Sequence, residues 1–201
     1  EYADTLLKSG RAYLADKLPQ QEDGQAAAGF ASRSGGQAVI LKIEPRKIVI
    51  NDLIRGDIEF DTSVIKDQVL IKSDNTPTYN FACVVDDALM RITHVIRGDD
   101  HISNTPKQII MYEALGLQAP AFAHLPLILA TEGGRLSKRK GATAISEFRS
   151  MGYLSKALVN FLLLLGWSPG ENREIIEPQE AIKLFDIRHI NKCDSICSSF
   201  W

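Results

Sequence analysis

The chain has 201 residues, 45% of them hydrophobic and 24% charged, and its formal net charge is −2. That length can bury the core of one large domain or two small ones, and the composition is that of an ordinary globular protein. A near-neutral charge argues against a non-specific nucleic-acid binder with a broad basic face, while leaving room for local reading of RNA.

Apolar runs such as Phe161 to Leu165 fall far short of the roughly 20 residues that cross a bilayer. Glu1-Tyr2-Ala3-Asp4 has neither the basic nor the apolar region of a secretion signal, so an intracellular protein is expected. Cys83, Cys193 and Cys197 are too few for a disulfide framework and suit a reducing compartment. Cys193-x-x-x-Cys197 lacks a second Cys/His pair nearby, and no zinc site is expected.

Residues 2–14 read as a helix carrying Leu6, Leu7 and Tyr13, with Gly10 as its stop or weak point. From Pro19 to Gly36 the chain is rich in Gln, Ala, Gly and Ser without periodicity, the composition of a loop or linker. Four β-branched or alternating runs follow: Ala38 to Ile43, Lys47 to Ile50, Asp57 to Phe60 and Gln68 to Lys72. Together they predict one small antiparallel sheet over residues 38–72. Thr76 and Pro77 have the chemistry of an N-cap and a first helical residue, opening a helix to about Leu89.

Ile92 to Arg97 then reads as a buried-type strand closed by Gly98. Thr105-Pro106-Lys107-Gln108 has capping-box spacing, and Gly116 closes that helix. Phe122 to Leu129 is a further strand, so that strand, helix and strand form a crossover unit. Beyond Gly133-Gly134, helices are expected at Ile145–Ser150, at Ser155–Leu165 (stopped by Gly166) and at Pro178–Phe185. No internal repeat is evident. The fold class is α/β followed by a helical region.

The most specific element is Arg135-Leu136-Ser137-Lys138-Arg139-Lys140, preceded by two glycines, in which four of six residues are basic. Such a loop can wrap a polyphosphate with ammonium groups and backbone N–H donors. Taken alone, a short basic run reads as a solvated turn. The upstream blocks Thr76 to Asp87 and Ile92 to His101 change that weighing, because both resemble the glutamyl-tRNA synthetase family. Leu136-Ser137-Lys138-Arg139 is similar to the KMSKS-type loop of class I synthetases. Gly152-Tyr153-Leu154 to Leu165-Gly166-Trp167-Ser168 resembles the helical stem-contact region that follows it. The similarity runs from about Ala38 to Lys192, whereas Cys193 to Trp201 reads unlike the family.

The resemblance implies the second half of a class I Rossmann-type catalytic domain with a small antiparallel β insertion, then a helical stem-contact region. The divisions would be an N-terminal remnant over 1–37, the insertion over 38–72, the half-domain over 73–130 and the loop plus helices over 131–201. It also implies that Tyr79 and Arg97 hold the substrate glutamate. An arginine at the C-terminal end of a parallel strand suits bidentate capture of a carboxylate. The structural alternatives are an ion pair of Arg97 with Asp86, Asp87 or Asp99, and a core aromatic role for Tyr79.

By the same resemblance Gly98, Asp100 and His101 contact ATP. Gly98 would let the nucleotide approach the backbone and Asp100 would accept from ribose hydroxyls. His101 either stacks on adenine or faces solvent, and Asp100 could equally cap a helix. Ser137 and Lys138 join the ATP site from the loop formed by Arg135, Leu136, Ser137, Lys138 and Arg139. Lys138 is the catalytic candidate, stabilising phosphate charge with help from Arg139 or Lys140. His94 and His124 are expected to be packed rather than catalytic, and no protein metal site is expected.

The implied reaction is two-step: glutamate and ATP, with magnesium, give glutamyl-adenylate, which then acylates tRNA(Glu). The family also implies a monomer in the bacterial cytoplasm, or in a plastid or mitochondrion, with no membrane partner. No HIGH-type signature, cysteine-bearing zinc segment or anticodon-binding domain is recognised in the sequence. Weak or no aminoacylation by this chain alone is therefore expected. The competing readings are a paralogue that glutamylates a tRNA base and a non-catalytic module for the tRNA acceptor stem. The motif details favour the glutamate form over the glutaminyl-specific enzyme.

Overall fold

A computed structural model of the chain describes residues 1–16, 36–130, 144–170 and 173–197. It begins with helix α1 (Tyr2–Lys8) and strands β1 (Ala12–Ala15), β2 (Ala38–Leu41), β3 (Lys47–Asp52), β4 (Gly56–Asp61) and β5 (Gln68–Ile71). Helix α2 (Tyr79–Leu89), strand β6 (His94–Gly98), helix α3 (Thr105–Leu115) and strands β7 (Ala121–Leu125) and β8 (Ile128–Ala130) follow. Helices α4 (Ile145–Ser150), α5 (Ser155–Gly166) and α6 (Pro178–Leu184) precede the short strand β9 (Ser195–Cys197).

The four strands expected to form one antiparallel sheet divide between two sheets. β2 is the middle strand of the order β1-β2-β5 and runs antiparallel to both neighbours. β3 and β4 join β7 and β6 in the order β4-β3-β7-β6, with β3 parallel to β7 and Asp52 opposite Phe122. The strand patterns carry the reason. All four residues of β2 are buried, with Val39 and Leu41 in one apolar cluster and Ala38 and Ile40 in another. It is covered on both faces. β3 alternates, burying Ile48, Ile50 and Asp52 and exposing the residues between them.

The helix expected over 2–14 ends at Lys8. Gly10 takes φ +72°, and Ala12–Ala15 becomes the edge strand β1, paired with β2. α2 starts at Tyr79 rather than Pro77, which instead bridges Ile71. The Thr78 hydroxyl donates to the Val69 carbonyl at 2.7 Å, and that of Thr76 donates to Asp74 Oδ1 at 2.6 Å. The expected capping box of α3 is absent: Asn104 is the N-cap, and Gln108 Nε2 donates to Asn80 Oδ1 at 3.0 Å, tying α3 to α2. Gly116 ends α3 in the left-handed conformation, φ 67° and ψ 28°, as its position implies. Arg11 Nη1 adds donors to the Glu113 and Ala114 carbonyls at that end.

β6 lies at the edge of its sheet and is half-exposed rather than buried. His94, expected to be packed, is exposed, with Nδ1 2.9 Å from the Thr93 hydroxyl. The expected strand from Phe122 to Leu129 is two strands, because Pro126 offers no N–H to a ladder. β8 continues in another sheet, parallel to β9. The three later helices fall where expected within a residue at each end.

The fold has two compact units. The first comprises Glu1–Asn51, Asp57–Val95 and His101–Ala121, with a core that includes Leu6, Leu41, Leu70, Phe81, Met111 and Tyr112. The second comprises Asp52–Gly56, Ile96–Asp100 and Phe122–Trp201, with Ile54, Ala123, Trp167, Ile176, Ala181 and Ile190 at its centre. Among the described residues no helix is long and apolar enough to cross a membrane.

Candidate active site

Residues of the second unit on β3, β6 and β7 form a buried polar group. The alternation of β3 turns Asp52 inward, where it is 2% exposed. Its Oδ1 accepts from the backbone N–H groups of Ile54 at 3.0 Å and Arg55 at 2.8 Å. Its Oδ2 accepts from His124 twice: from the backbone N–H at 3.1 Å and from Nδ1 at 2.6 Å. His124 on β7 is itself 1% exposed. On the other side of the ring, Arg97 Nε donates to His124 Nε2 at 3.1 Å.

These bonds settle the tautomer. Arginine is a donor only, so Nε2 must present its lone pair and the ring proton sits on Nδ1, facing the carboxylate. Burial pushes the His124 pKa down, against the pull of Asp52, and Arg97 pushes it further the same way. The imidazole is therefore neutral at pH 7. Burial pushes the Asp52 carboxyl up, but the hydrogen bonds from Arg55, His124 and Ile54 outweigh it and hold the pKa below the usual carboxylate range.

Phe122 and His124 are two residues apart on β7 and so share a face. Their rings are nearly parallel, 7° apart in plane with centroids 6.2 Å apart. The Arg97 guanidinium carbon lies 5.4 Å from the Phe122 ring centroid, within cation–π range. Arg97 is thus held at one edge by a histidine and across one face by an aromatic ring. Beside it, Arg55 donates from Nη2 to Asp99 Oδ2 at 2.7 Å and from Nη1 to the Lys192 carbonyl at 2.8 Å. One carboxylate suggested as a structural partner for Arg97 is thereby engaged with Arg55.

Gly98 follows Arg97 at the end of β6. A Cβ there would sit 2.5 Å from Asp100 Oδ1, so the missing side chain makes room for the Asp100 carboxylate. Gly98→Ala is expected to displace that carboxylate. A urea midpoint near that of the unmodified chain would show that the carboxylate can move aside without loss of the fold.

In the first unit, Tyr79 is the first residue of α2 and is 59% exposed, so it is not a core aromatic. Asn104 Nδ2 lies 3.2 Å from His101 Nδ1. Arg135, Leu136, Ser137, Lys138 and Arg139 lie outside the described residues, as does most of the Pro19 to Gly36 segment. His124 is buried, as its apolar neighbours imply. The residues that sequence reasoning did not connect are Asp52 and Phe122. Their signal was a carboxylate at an inward position of an alternating strand, and an aromatic two residues before a histidine.

The family of class I tRNA synthetases (E and Q), catalytic domain, matches residues 27–199. The chain belongs to this family.

The synthetase match extends to residue 199, so the segment after Lys192 is not foreign to the family as its sequence suggested. Among relatives, the chain is 44% identical to the glutamate–tRNA ligase of Natranaerobius thermophilus, over 98% of this chain and 45% of that protein. It is 51% identical to glutamate–tRNA ligase 2 of Thermoanaerobacter pseudethanolicus, over 98% of this chain and 46% of that protein. A crystal structure of a glutamate tRNA ligase from Elizabethkingia meningosepticum, in complex with its amino acid, superposes with TM-score 0.82 at 34% identity. That match covers 98% of this chain and 49% of the other. The synthetase chain spans about half the length of the curated relatives it matches.

Proposed function

We propose that this synthetase chain serves a glutamate–tRNA ligase, which activates glutamate with ATP and passes it to tRNA(Glu) in a cytoplasm of bacterial type. The observation that carries the reading is Arg97. A guanidinium oriented by His124 and Phe122 at the end of β6 suits a carboxylate ligand. The identity to relatives that bear this name, over 98% of the chain, supports it.

Arg97 and Tyr79 hold the amino acid. Gly98, Asp100 and His101 serve the nucleotide, joined by Ser137 and Lys138 from the loop Arg135-Leu136-Ser137-Lys138-Arg139. A carboxylate oxygen of glutamate attacks the α-phosphorus of ATP. As that bond forms, the bond to the bridging oxygen breaks and pyrophosphate leaves; magnesium bound to the nucleotide would help to neutralise the phosphate charge. A terminal ribose hydroxyl of tRNA then attacks the acyl carbon and AMP departs. The chemistry needs alignment and charge neutralisation more than a protein nucleophile, and Lys138 supplies the positive charge for the transferring phosphates.

The test is glutamate-dependent ATP–pyrophosphate exchange, with and without tRNA, for the chain and for Lys138→Ala. The expected result is exchange that falls about 100-fold or more in the variant. Salt-sensitive tRNA binding with no exchange would replace this reading with a non-catalytic module for the acceptor stem.

A further inference from the structure

We propose that His124 is a positioning residue for the amino-acid site, a fixed hydrogen-bond acceptor that sets the plane of the Arg97 guanidinium. The proposal rests on the reading of Arg97 as a carboxylate ligand and adds the means by which that ligand is aimed.

Arginine can meet a carboxylate through the edge made by its two terminal nitrogens or through the edge that includes Nε. A bond from Nε to His124 Nε2 assigns Nε to the protein, so a carboxylate ligand would be met by the Nη1–Nη2 edge. For that bond to persist, Nε2 must stay unprotonated. Asp52 ensures this by taking the single ring proton at Nδ1, 2.6 Å away. The backbone donors of Ile54, Arg55 and His124 in turn fix the carboxylate. The chain of orientation therefore runs from β3 through β7 to β6. Phe122, under the guanidinium, completes it by limiting rotation about the pinned edge.

A pH dependence follows from the geometry. An imidazolium at position 124 would turn an N–H toward the Arg97 N–H and place two cations 3.1 Å apart. Among the described residues, the charged groups facing the ring are Asp52 on β3 and Arg97 on β6, with Asp99 after β6 acting at longer range. Arg55, in the turn after β3, is paired with Asp99. The carboxyls of free glutamate titrate below about pH 4.5 and its amine well above pH 7. Any loss of glutamate affinity between pH 7 and 5 therefore belongs to the protein.

The experiment uses the whole chain labelled with 15N, L-glutamate as the probe, and the variants H124Q, H124F and R97K. Gln at 124 can accept from Arg97 and donate to Asp52; Phe fills the space and can do neither. At pH 7 the His124 ring is expected to show the neutral Nδ1–H pattern, with an Arg97 Nε–H resonance protected from solvent exchange. H124Q should keep the glutamate Kd within about threefold and H124F should raise it at least tenfold. The affinity of the unmodified chain should weaken from pH 7 to pH 5 while that of H124Q stays flat.

An Nε2–H tautomer or an imidazolium at pH 7 would overturn the proposal. So would equal weakening in folded H124Q and H124F, which marks mere packing. Normal binding by H124F with lost binding by R97K would sink the role of His124 and leave the reading of Arg97 standing. Normal binding by R97K, or no glutamate response in the unmodified chain, would remove both. Should H124F fail to fold, the tautomer and the pH comparison of H124Q decide the matter.

Discussion

Arg97→Lys is expected to weaken glutamate binding about 100-fold while leaving the ATP KM within about threefold of its original value. A lysine ammonium retains the charge but not the fork. It cannot present two parallel N–H groups to a carboxylate while a third is pinned to His124 Nε2. It also gives up the placement of a guanidinium over the Phe122 ring, 5.4 Å from its centroid. Because both residues carry one positive charge, the change isolates geometry from electrostatics. A titration with L-glutamate reads it directly, and a shift of less than threefold would mean that Arg97 does not bind the amino acid.

The second large effect belongs to stability. Asp52→Ala removes the acceptor of four donors, with its own side chain fully buried and that of His124 1% exposed. Deleting one member of such a buried group leaves its partners desolvated without compensation, a loss of about 3–5 kcal/mol. Urea unfolding should show it as a lower midpoint with a similar slope. Asp52→Asn, which keeps acceptor capacity, should lose less. Equal stability of Asp52→Ala and the unmodified chain would mean that water enters and satisfies the donors.

The same group sets an acid limit to stability. His124 has a folded pKa below its usual value, so below about pH 6.5 the unfolded chain binds more protons than the folded one, and stability falls with pH. Asp52, whose folded pKa is also lowered, adds a second loss as pH falls through the carboxylate range. Both contributions are fully present near neutral pH. The fall that begins near pH 6.5 should be absent in His124→Gln.

Local chemistry was readable and pairing was not. Gly116 announced the end of α3, since a left-handed position favours glycine, and the apolar periods of α4, α5 and α6 placed those helices well. By contrast, Ala12-Tyr13-Leu14-Ala15 could continue a helix on local grounds. It became a strand because Ala38–Leu41 lay ready to pair with it. β3 and β5 look alike in composition, yet they lie in different sheets. The choice is made by partners dozens of residues away.

The candidate site divides in the same manner. Arg97, Gly98 and Asp100 lie within four consecutive residues of the sequence, whereas Asp52, Phe122 and His124 acquire their meaning only through contacts across strands. The space that Gly98 frees is taken by the carboxylate of Asp100 from its own chain. A carboxylate at the end of an alternating strand carries no mark that tells a buried anchor from a surface charge. Only its count of donors does.

The closing contacts of the second unit bear on how the chain is made. Asp194 Oδ1 accepts from the Leu127 N–H, a separation of 67 residues, and the Lys192 carbonyl accepts from Arg55 across 137. β9, among the last residues described, completes the pairing of β8. A ribosome adding about 5–20 residues per second would leave β8 without that partner for several seconds after its synthesis. The helices α4 to α6 emerge in that interval, so the pairing of β8 can be completed only after β9 has been translated. Slowed elongation after the codon for Ala130 should therefore lengthen the exposure of nascent chains to chaperones, and conservative changes in β9 should have a similar effect on yield.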